Sequence, residues 1–438
     1  MKKHCLVLSA CLSLACSPLL GAETDPSAIE GVADPVDSRA QLSLDDMRNF
    51  TDVFNQIRRN YVEEVDDKLL LEAAMNGMLT SLDPHSAYLP QHDFEDLENA
   101  SRGQYVGLGI DVAAQNGRIV VKQVISPSPA DLAGINPGDI ITAIDEKPVK
   151  GRVLAAAIDE LSGPPGSLVK ITVLSPGSEQ RTLVLKREFV KVPAMSFRLL
   201  ENHIAYFRLV YFHRDSASDL KNAIDSVRSE GTELSGMILD LRNNPGGVLQ
   251  PAVEIADGFL DQGSIVSTRG RNAGMQMEFT ASPGQWLPAM PLVLLVDRGS
   301  ASASEVLAGA LQDHGRALVV GERTFGKGSV QSVLPLRNGS GVKLTTARYF
   351  TPSGRSIQAR GIQPDVIVAS EMLVVASDDQ RQREADLENH LTQDPEDPSG
   401  NAGETVTAEQ DYPLHEALKL LRANRSLSAG GKDFSGRP

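Results

Sequence analysis

Strand-like and helix-like segments alternate from His203 to Val320, and this alternation restricts the possible folds more than any other feature. The strand-like runs are short and apolar, whereas the helix-like runs repeat apolar residues at helical spacing. In chain order they cover residues 203–211, 216–230, 236–241, 250–260, 292–296, 303–312 and 317–320. Such an order predicts an α/β fold in which helices cover the faces of a largely parallel sheet.

Two unusual turns follow strands of this predicted sheet. Residues 242–247 read Arg-Asn-Asn-Pro-Gly-Gly, and residues 297–305 read Asp-Arg-Gly-Ser-Ala-Ser-Ala-Ser-Glu. Sites in such sheets form at the carboxyl ends of the strands, so we expect the turns to meet, with the N–H groups of Gly246 and Gly247 near Ser302. A simple sharp turn also explains the paired glycines. The helix N-terminus after the serines offers free N–H groups that suit an oxyanion.

A lysine between two glycines follows in residues 322–331, which read Glu-Arg-Thr-Phe-Gly-Lys-Gly-Ser-Val-Gln. A serine hydroxyl needs an adjacent base. Lys327 could serve as this base if burial lowered its pKa, and the flanking glycines would let the chain fold it inward. Gly321, Gly326 and Lys327 also match the beginning of a phosphate-binding P-loop. Because Gly328 stands where that motif needs Ser or Thr, a nucleotide site is disfavoured.

Residues 105–186 contain short strand-like runs separated by glycine-rich turns. The run Val106-Gly107-Leu108-Gly109-Ile110 and the segment Ala133-Gly134-Ile135-Asn136-Pro137-Gly138-Asp139, followed by a helix-like stretch at 153–161, resemble a PDZ domain. In such a domain the loop from Val106 to Gly109 would bind the terminal carboxylate of a peptide through backbone N–H groups. The strand beginning at Ile110 would take the peptide as an added strand.

The N-terminus reads as an export signal. Lys2 and Lys3 precede an apolar run at 6–14, and Leu20-Gly21-Ala22 ends the segment, so we expect cleavage near Ala22. All three cysteines lie inside residues 1–22, and the mature chain would therefore contain no disulfide. Residues 8–11 faintly resemble a lipoprotein cleavage site, but the short apolar run favours a soluble exported protein. The net charge of -15 disfavours nucleic acid as a partner.

Helical patterns predict further elements outside the predicted sheet. Residues 43–81 predict two helices, the first with a capping box formed by Ser43 and Asp46. A turn at 81–86 follows, in which we interpret His85 as a turn residue. Residues 370–409 are acidic and polar, which indicates a mobile surface segment. Residues 411–424 predict a helix whose apolar face is a candidate for contact with a partner subunit.

Taken together, the PDZ-like segment, the serine stretch and Phe-Gly-Lys-Gly-Ser-Val-Gln resemble the carboxy-terminal processing (tail-specific) proteases. The resemblance extends from Ser43 to Asp365 and includes the motifs at 81–86 and 240–247. It implies a ClpP/crotonase-like core and no cofactor or metal ion. The domains would be a signal peptide at 1–22, a helical region at 43–90, a PDZ domain at 103–187, a protease core at 190–369, an acidic segment at 370–410 and a helix at 411–425.

The resemblance also assigns roles to residues. It implies Ser302 as nucleophile, Lys327 as base and Gln331 as the residue that orients the lysine, with Gly246, Gly247 and Ala303 forming the oxyanion hole. Ser300 and Ser304 are rival nucleophiles. Among the histidines, His314 would lie about 18 Å along the helix from Ser302 and is too far away. Spacing does not exclude His85 or His213.

The expected function is that of an exported endopeptidase of the bacterial periplasm, either soluble or peripherally membrane-associated. It would process or degrade proteins whose flexible or unfolded C-terminal tails its PDZ domain binds. Partners would be those tails, an adaptor protein, and further copies of the chain joined through the terminal helices. Two alternatives remain open from the sequence: a catalytically silent PDZ scaffold and a nucleotide-binding enzyme. Cleavage of an unfolded peptide would distinguish the first alternative, and nucleotide titration the second.

Overall fold

The structure, a computed structural model, describes residues 42–149, 151, 153–368, 383–387, 390–391 and 411–429. The expected export signal with its three cysteines lies outside these residues, as does most of the acidic segment.

Residues 42–67 belong to a compact unit of their own. Its helix α1 spans Leu44–Asn60. The predicted capping box is confirmed, since Ser43 Oγ accepts the Asp46 N–H and the Asp46 carboxylate accepts the Ser43 N–H. No side chain of α1 is buried, and Met47 and Phe50 on its apolar stripe are each 51% exposed.

The region before the PDZ-like segment contains helix α2 at Asp67–Thr80, strand β1 at Ala87–Leu89 and helix α3 at Gln91–Ser101. Between α2 and β1, the carboxylate of Asp83 accepts the N–H groups of His85 and Ser86 and the hydroxyl of Ser86. These bonds hold the turn rigidly, as the motif predicts.

The PDZ-like segment begins with β2 at Gln104–Gly107, which pairs antiparallel with β9 at Glu188–Lys191. Between them lie β3 Ile110–Gln115, β4 Arg118–Val124, α4 Pro129–Leu132, β5 Ile140–Ile144, β6 Lys147–Pro148, α5 Leu154–Leu161, β7 Leu168–Leu174 and β8 Gln180–Lys186. These strands form one antiparallel sheet around its own apolar core, which includes Ile141, Ala157 and Ile171.

The core of the chain is a six-stranded sheet. Its strands are β10 Met195–Leu200, β11 Ile204–Leu209, β12 Gly236–Asp240, β15 Leu292–Val296, β16 Leu318–Gly321 and β19 Val366–Ile367, and they lie side by side in that order. All neighbours are parallel except the edge pair of β10 and β11. The predicted largely parallel sheet is therefore confirmed.

Helices cover both faces of this sheet. Helices α6 Ser216–Ser229, α7 Leu249–Phe259 and α8 Ala303–Asp313 pack on one face through a large apolar cluster. The final helix, α9 at Tyr412–Ala429, packs Ala417 and Leu421 on the other face. The chain's own sheet thus covers the side chains expected to face a partner subunit, and for these residues that expectation is wrong.

A second, antiparallel sheet adjoins the core and was not predicted. It combines β1 with β13 Ser264–Gly270, β14 Met277–Thr280, β17 Ser329–Pro335 and β18 Gly341–Phe350. Strand β17 begins two residues after Lys327, and β1 places the turn at 81–86 beside β18. This sheet consequently brings the N-terminal motif towards the lysine.

Candidate active site

Ser302 lies between the end of β15 and the first residue of α8, as predicted. Its backbone has φ 55° and ψ −113°, a region that residues other than glycine rarely occupy. Such strain is typical of functional turns, because the surrounding contacts must hold it in place.

The hydroxyls of the two rival serines, Ser300 and Ser304, donate to backbone carbonyls of the neighbouring turn. The Ser300 hydroxyl donates to the Leu241 carbonyl and the Ser304 hydroxyl to the Asn244 carbonyl, and both side chains are fully buried. Ser302 is partly exposed. Of the three, Ser302 is therefore the serine that a substrate could reach.

The two unusual turns meet, as expected. The buried carboxylate of Asp297 accepts the N–H groups of Asn243 and Gly299 and so links one turn to the other. The Ala301 N–H also donates to the Asn244 carbonyl at 3.0 Å. At Gly246, a Cβ atom would lie 2.7 Å from the Ala301 carbonyl oxygen, so only glycine permits this approach.

Glu305 connects Ser302 to the lysine loop, which is the segment 322–328 between β16 and β17 that contains Lys327. One oxygen, Oε2, accepts the N–H of Ser302 at 2.8 Å and that of Lys327 at 2.9 Å. The other, Oε1, accepts the Gly326 N–H at 2.7 Å and the Thr324 hydroxyl. Full burial raises the pKa of Glu305 to about 7, while these donors act in the opposite direction by stabilising the carboxylate. Because Oε2 accepts both N–H groups, the backbone nitrogens of Ser302 and Lys327 cannot be separated by more than the sum of these two hydrogen-bond distances.

Glu305→Ala should destabilise the chain by at least about 3 kcal/mol, because it leaves several buried donors unpaired and opens a cavity. Urea unfolding would measure the loss. Glu254→Ala is the matched control, since Glu254 is an exposed carboxylate on α7 and its removal should change the free energy of unfolding by only about 0.5 kcal/mol. Equal losses in the two variants would show that Glu305 does not hold the loop.

Lys327 is partly buried in the loop between β16 and β17. Burial lowers its pKa below the ordinary lysine value of 10.5, and the neighbouring ammonium of Lys343 acts in the same direction. Carboxylates of Glu384, Glu305 and Asp83 oppose the shift. The setting thus favours the neutral amine more than solvent does. No hydrogen bond joins Lys327 Nζ to Ser302 Oγ among the described residues.

Gln331 lies in β17 at a register shift against β18. Its Nε2 donates to Thr345 Oγ1 at 2.9 Å and to Ser329 Oγ at 3.2 Å. Its Oε1 is buried and has no hydrogen-bond partner among the described residues. The side chain is therefore held by its nitrogen while its acceptor oxygen remains available, although the structure joins it directly to neither Ser302 nor Lys327.

The predicted oxyanion donors differ in availability. The Gly246 N–H already donates to Asn244 Oδ1 at 2.9 Å, so an oxyanion would have to displace that acceptor. The Gly246 carbonyl accepts the Phe212 N–H, and in a trans peptide the following Gly247 N–H must point the opposite way. Neither the Gly247 nor the Ala303 N–H donates to another described residue. These two remain candidates.

The histidines occupy different settings. His314 Nε2 donates to the Ser264 carbonyl, and Nε2 of the buried His213 lies 3.6 Å from the Asp219 carboxylate. His85 is more than a turn residue, because its Nε2 lies 2.9 and 2.7 Å from the two carboxylate oxygens of Glu384. Glu384 is fully buried, so the expectation of a surface segment at 370–410 fails at this residue.

The loop of the PDZ-like segment contains two N–H groups that point away from its internal hydrogen bonds. The Leu108 and Gly109 carbonyls accept the N–H groups of Ala130 and Ile125, so the N–H groups of Gly109 and Ile110 point the other way. Gly109 is buried and Ile110 is partly exposed. Burial also raises the pKa of the Tyr105 phenol on strand β2.

Sequence reasoning missed two residues of this site. Glu305 stands three residues after Ser302, which is the Ser-x-x-Glu spacing of a helix N-terminus, and that spacing could have identified it. Glu384 lies in a polar, acidic stretch with no distinguishing pattern, and only the fold brings it to His85.

Sequence models of known families match three parts of the chain. The sequence model of peptidase family S41 matches residues 203–368, that of the PDZ domain residues 120–187, and that of the activating protease CtpB N-terminal domain residues 9–93. Among solved structures, the photosystem II D1 C-terminal processing protease is 32% identical, with a TM-score of 0.44, over 74% of this chain and 93% of that one.

Relatives of known family membership cover most of the chain. A carboxy-terminal-processing protease of Bartonella bacilliformis is 40% identical over 396 residues, which is 89% of this chain and 91% of the relative. A probable CtpA-like serine protease of Staphylococcus aureus is 34% identical over 330 residues, or 75% of this chain and 65% of the relative. The chain therefore belongs to the carboxy-terminal-processing proteases of peptidase family S41, and it is a serine peptidase with an inserted PDZ domain.

Proposed function

We propose that this peptidase cleaves peptide bonds with Ser302 as nucleophile and Lys327 as general base. The observation that carries the proposal is the shared Glu305 oxygen, which binds the backbone N–H groups of both residues. A common anchor of this kind holds the two backbones close together, which keeps the nucleophile and the base near enough for their side chains to meet.

In the proposed reaction, neutral Lys327 Nζ takes the proton of the Ser302 hydroxyl as Oγ attacks the carbonyl carbon of the substrate. The N–H groups of Gly247 and Ala303 stabilise the resulting oxyanion. The ammonium then returns its proton to the leaving amine, and the peptide C–N bond breaks to leave an acyl-enzyme. Water then attacks the acyl carbon while Lys327 takes its proton. The bond between the acyl carbon and Ser302 Oγ breaks to release the acid, and the ammonium returns the proton to Oγ.

Gln331 orients the lysine in this proposal. Its Nε2 is held by Thr345 and Ser329, so the amide cannot rotate freely, and its unpaired Oε1 can accept a hydrogen bond from Lys327 Nζ. A lysine has three rotatable carbon–carbon bonds beyond Cβ, and one fixed acceptor would reduce the number of its conformations.

The proposed substrates are proteins with flexible or unfolded C-terminal tails. The loop from Val106 to Gly109 would hold the terminal carboxylate, strand β3 would take the tail as an added strand, and an apolar pocket would bind its last side chain. The support is the direction of the Gly109 and Ile110 N–H groups, which point away from the hydrogen bonds within the loop.

An unstructured polypeptide with a free apolar C-terminus should be cleaved faster than the same polypeptide with an amidated C-terminus. Amidation removes the negative charge that the loop N–H groups bind, so we expect turnover at low substrate concentration to fall roughly 10-fold or more. Product sizes and initial rates of the two substrates would measure this. Equal rates for the free, amidated and charged-ended polypeptides would remove the PDZ domain from tail recognition.

We further propose export to the periplasm and self-association through α1. None of the helices in the described ranges combines the length and apolar composition that a membrane crossing requires. The export signal at 1–22 rests on its charged start and its small-residue end. Self-association is supported by the exposed apolar stripe of α1, and an adaptor protein could bind the same stripe.

A further inference from the structure

A carboxylate from beyond the matched family region lies buried against the lysine loop. The family model ends at residue 368, whereas Glu384 belongs to the described segment 383–387. Its side chain is fully buried, in a stretch whose neighbours Ala385 and Asp386 are exposed. A buried carboxylate is costly unless several donors satisfy it, so its contacts need a function or a structural reason.

The donors of Glu384 come from both ends of the chain. His85, which precedes the PDZ domain, places Nε2 within 2.9 Å of both carboxylate oxygens. Gln358 donates Nε2 to Oε1 at 2.9 Å. The same Gln358 accepts the Gly328 N–H on its own Oε1 at 2.9 Å, so Glu384 is one side chain away from the residue that follows Lys327.

The backbone of the segment contacts the other side of the lysine. The Glu384 N–H points to the Phe325 carbonyl at 3.4 Å. Glu384 therefore supports the loop two residues before Lys327 directly and one residue after it through Gln358. At Gly328 the loop passes so close to Gln358 that a Cβ atom would lie 2.3 Å from the Gln358 nitrogen. This packing leaves little freedom for the loop to shift while Gln358 stays bound.

We propose that Glu384 is a positioning residue for Lys327, so that the segment after the family core completes the general base of the enzyme. This inference rests on the proposed role of Lys327. Glu384 acts in two ways: it fixes the loop through Gln358 and Phe325, and its negative charge stabilises the ammonium form of the lysine. The other charges near Lys327 are Lys343 on β18, Glu305 on α8 and Asp83 in the turn before β1.

Glu384→Gln separates these two effects from ordinary structural support. Removing the charge disfavours the ammonium form, so the midpoint of the rise in kcat with pH should move to lower pH. The new amide also places its own N–H group against one of the donors, His85 or Gln358, and so displaces the lysine loop. This displacement should lower the plateau of kcat roughly 10- to 100-fold with little change in KM. Glu384→Asp keeps the charge but shortens the reach, so its plateau should fall while its midpoint stays that of the unaltered enzyme.

Asp386→Asn is the matched control, because Asp386 is an exposed carboxylate two residues away that accepts the Arg383 N–H. It should leave plateau and midpoint unchanged. Thermal unfolding of each variant would identify any that is misfolded. If Glu384→Gln is misfolded, the plateau and midpoint of Glu384→Asp provide the test. If Ser302→Ala is inactive but both Glu384 variants keep the plateau and midpoint of the unaltered enzyme, the positioning role is wrong and the proposed function stands. If Lys327→Ala keeps full activity, the proposed function itself fails.

Discussion

Ser302→Ala should reduce the rate of peptide-bond cleavage by about five orders of magnitude, because no other hydroxyl can replace the nucleophile. The substitution removes a single oxygen from a partly exposed side chain, and the N–H of residue 302 still binds Glu305. We therefore expect an unchanged melting temperature. Single-turnover assays with an unstructured polypeptide would measure the rate, and circular dichroism would establish the fold.

Ser304→Ala provides the control for this experiment. The Ser304 hydroxyl donates to the Asn244 carbonyl, which also accepts the Ala301 N–H and so keeps a partner when the hydroxyl is lost. The expected cost is about 1 kcal/mol of stability, with clear activity remaining. A folded Ser302→Ala chain that cleaves as fast as Ser304→Ala would disprove the assignment of the nucleophile.

The parallel core could be predicted because its signals are local. Strands such as Leu292–Val296 are uninterrupted apolar runs, and α8 follows directly with helical spacing. The antiparallel sheet was missed because its strands lack such a pattern. Five consecutive residues of β18, from Val342 to Thr346, are only partly buried, so apolar and polar side chains do not alternate clearly. Helix α3 was missed for a similar reason, since its sequence is largely polar and none of its residues is buried.

The sequence predicted the reactive residues of the site but not the contacts that position them. Ser302 and Lys327 stand in distinctive small-residue turns, and their spacing to a strand and a helix places both near one sheet edge. The contacts that hold them depend on the fold. Glu384 and His85 are 299 residues apart in sequence, and no local pattern predicts a hydrogen bond across that separation. At Gly246 the sequence predicts a sharp turn that needs glycine. It does not predict that the Gly246 N–H donates to the Asn244 side chain.

Lys327→Arg should reduce cleavage about as severely as Ser302→Ala, which tests the identity of the base. Arginine stays protonated at any pH an enzyme tolerates, so it cannot take the serine proton, although it keeps the positive charge and much of the bulk. Lys327→Ala should be equally inactive. In the unaltered enzyme, kcat should rise with pH as Lys327 loses its proton, with a midpoint below the ordinary lysine value of 10.5 because burial disfavours the ammonium.

His85→Ala distinguishes the lysine from a histidine base. His85 binds Glu384, so its loss should weaken the support of the lysine loop and lower kcat, yet leave activity that still rises with pH. A histidine base would give the opposite pattern, with His85→Ala inactive and Lys327→Arg nearly normal. That outcome would replace the Ser–Lys mechanism by one in which Glu384 orients His85, since these two side chains already lie at hydrogen-bonding distance. The Glu305 anchor argues for the lysine, because it binds the Lys327 backbone to that of Ser302 through a single carboxylate oxygen.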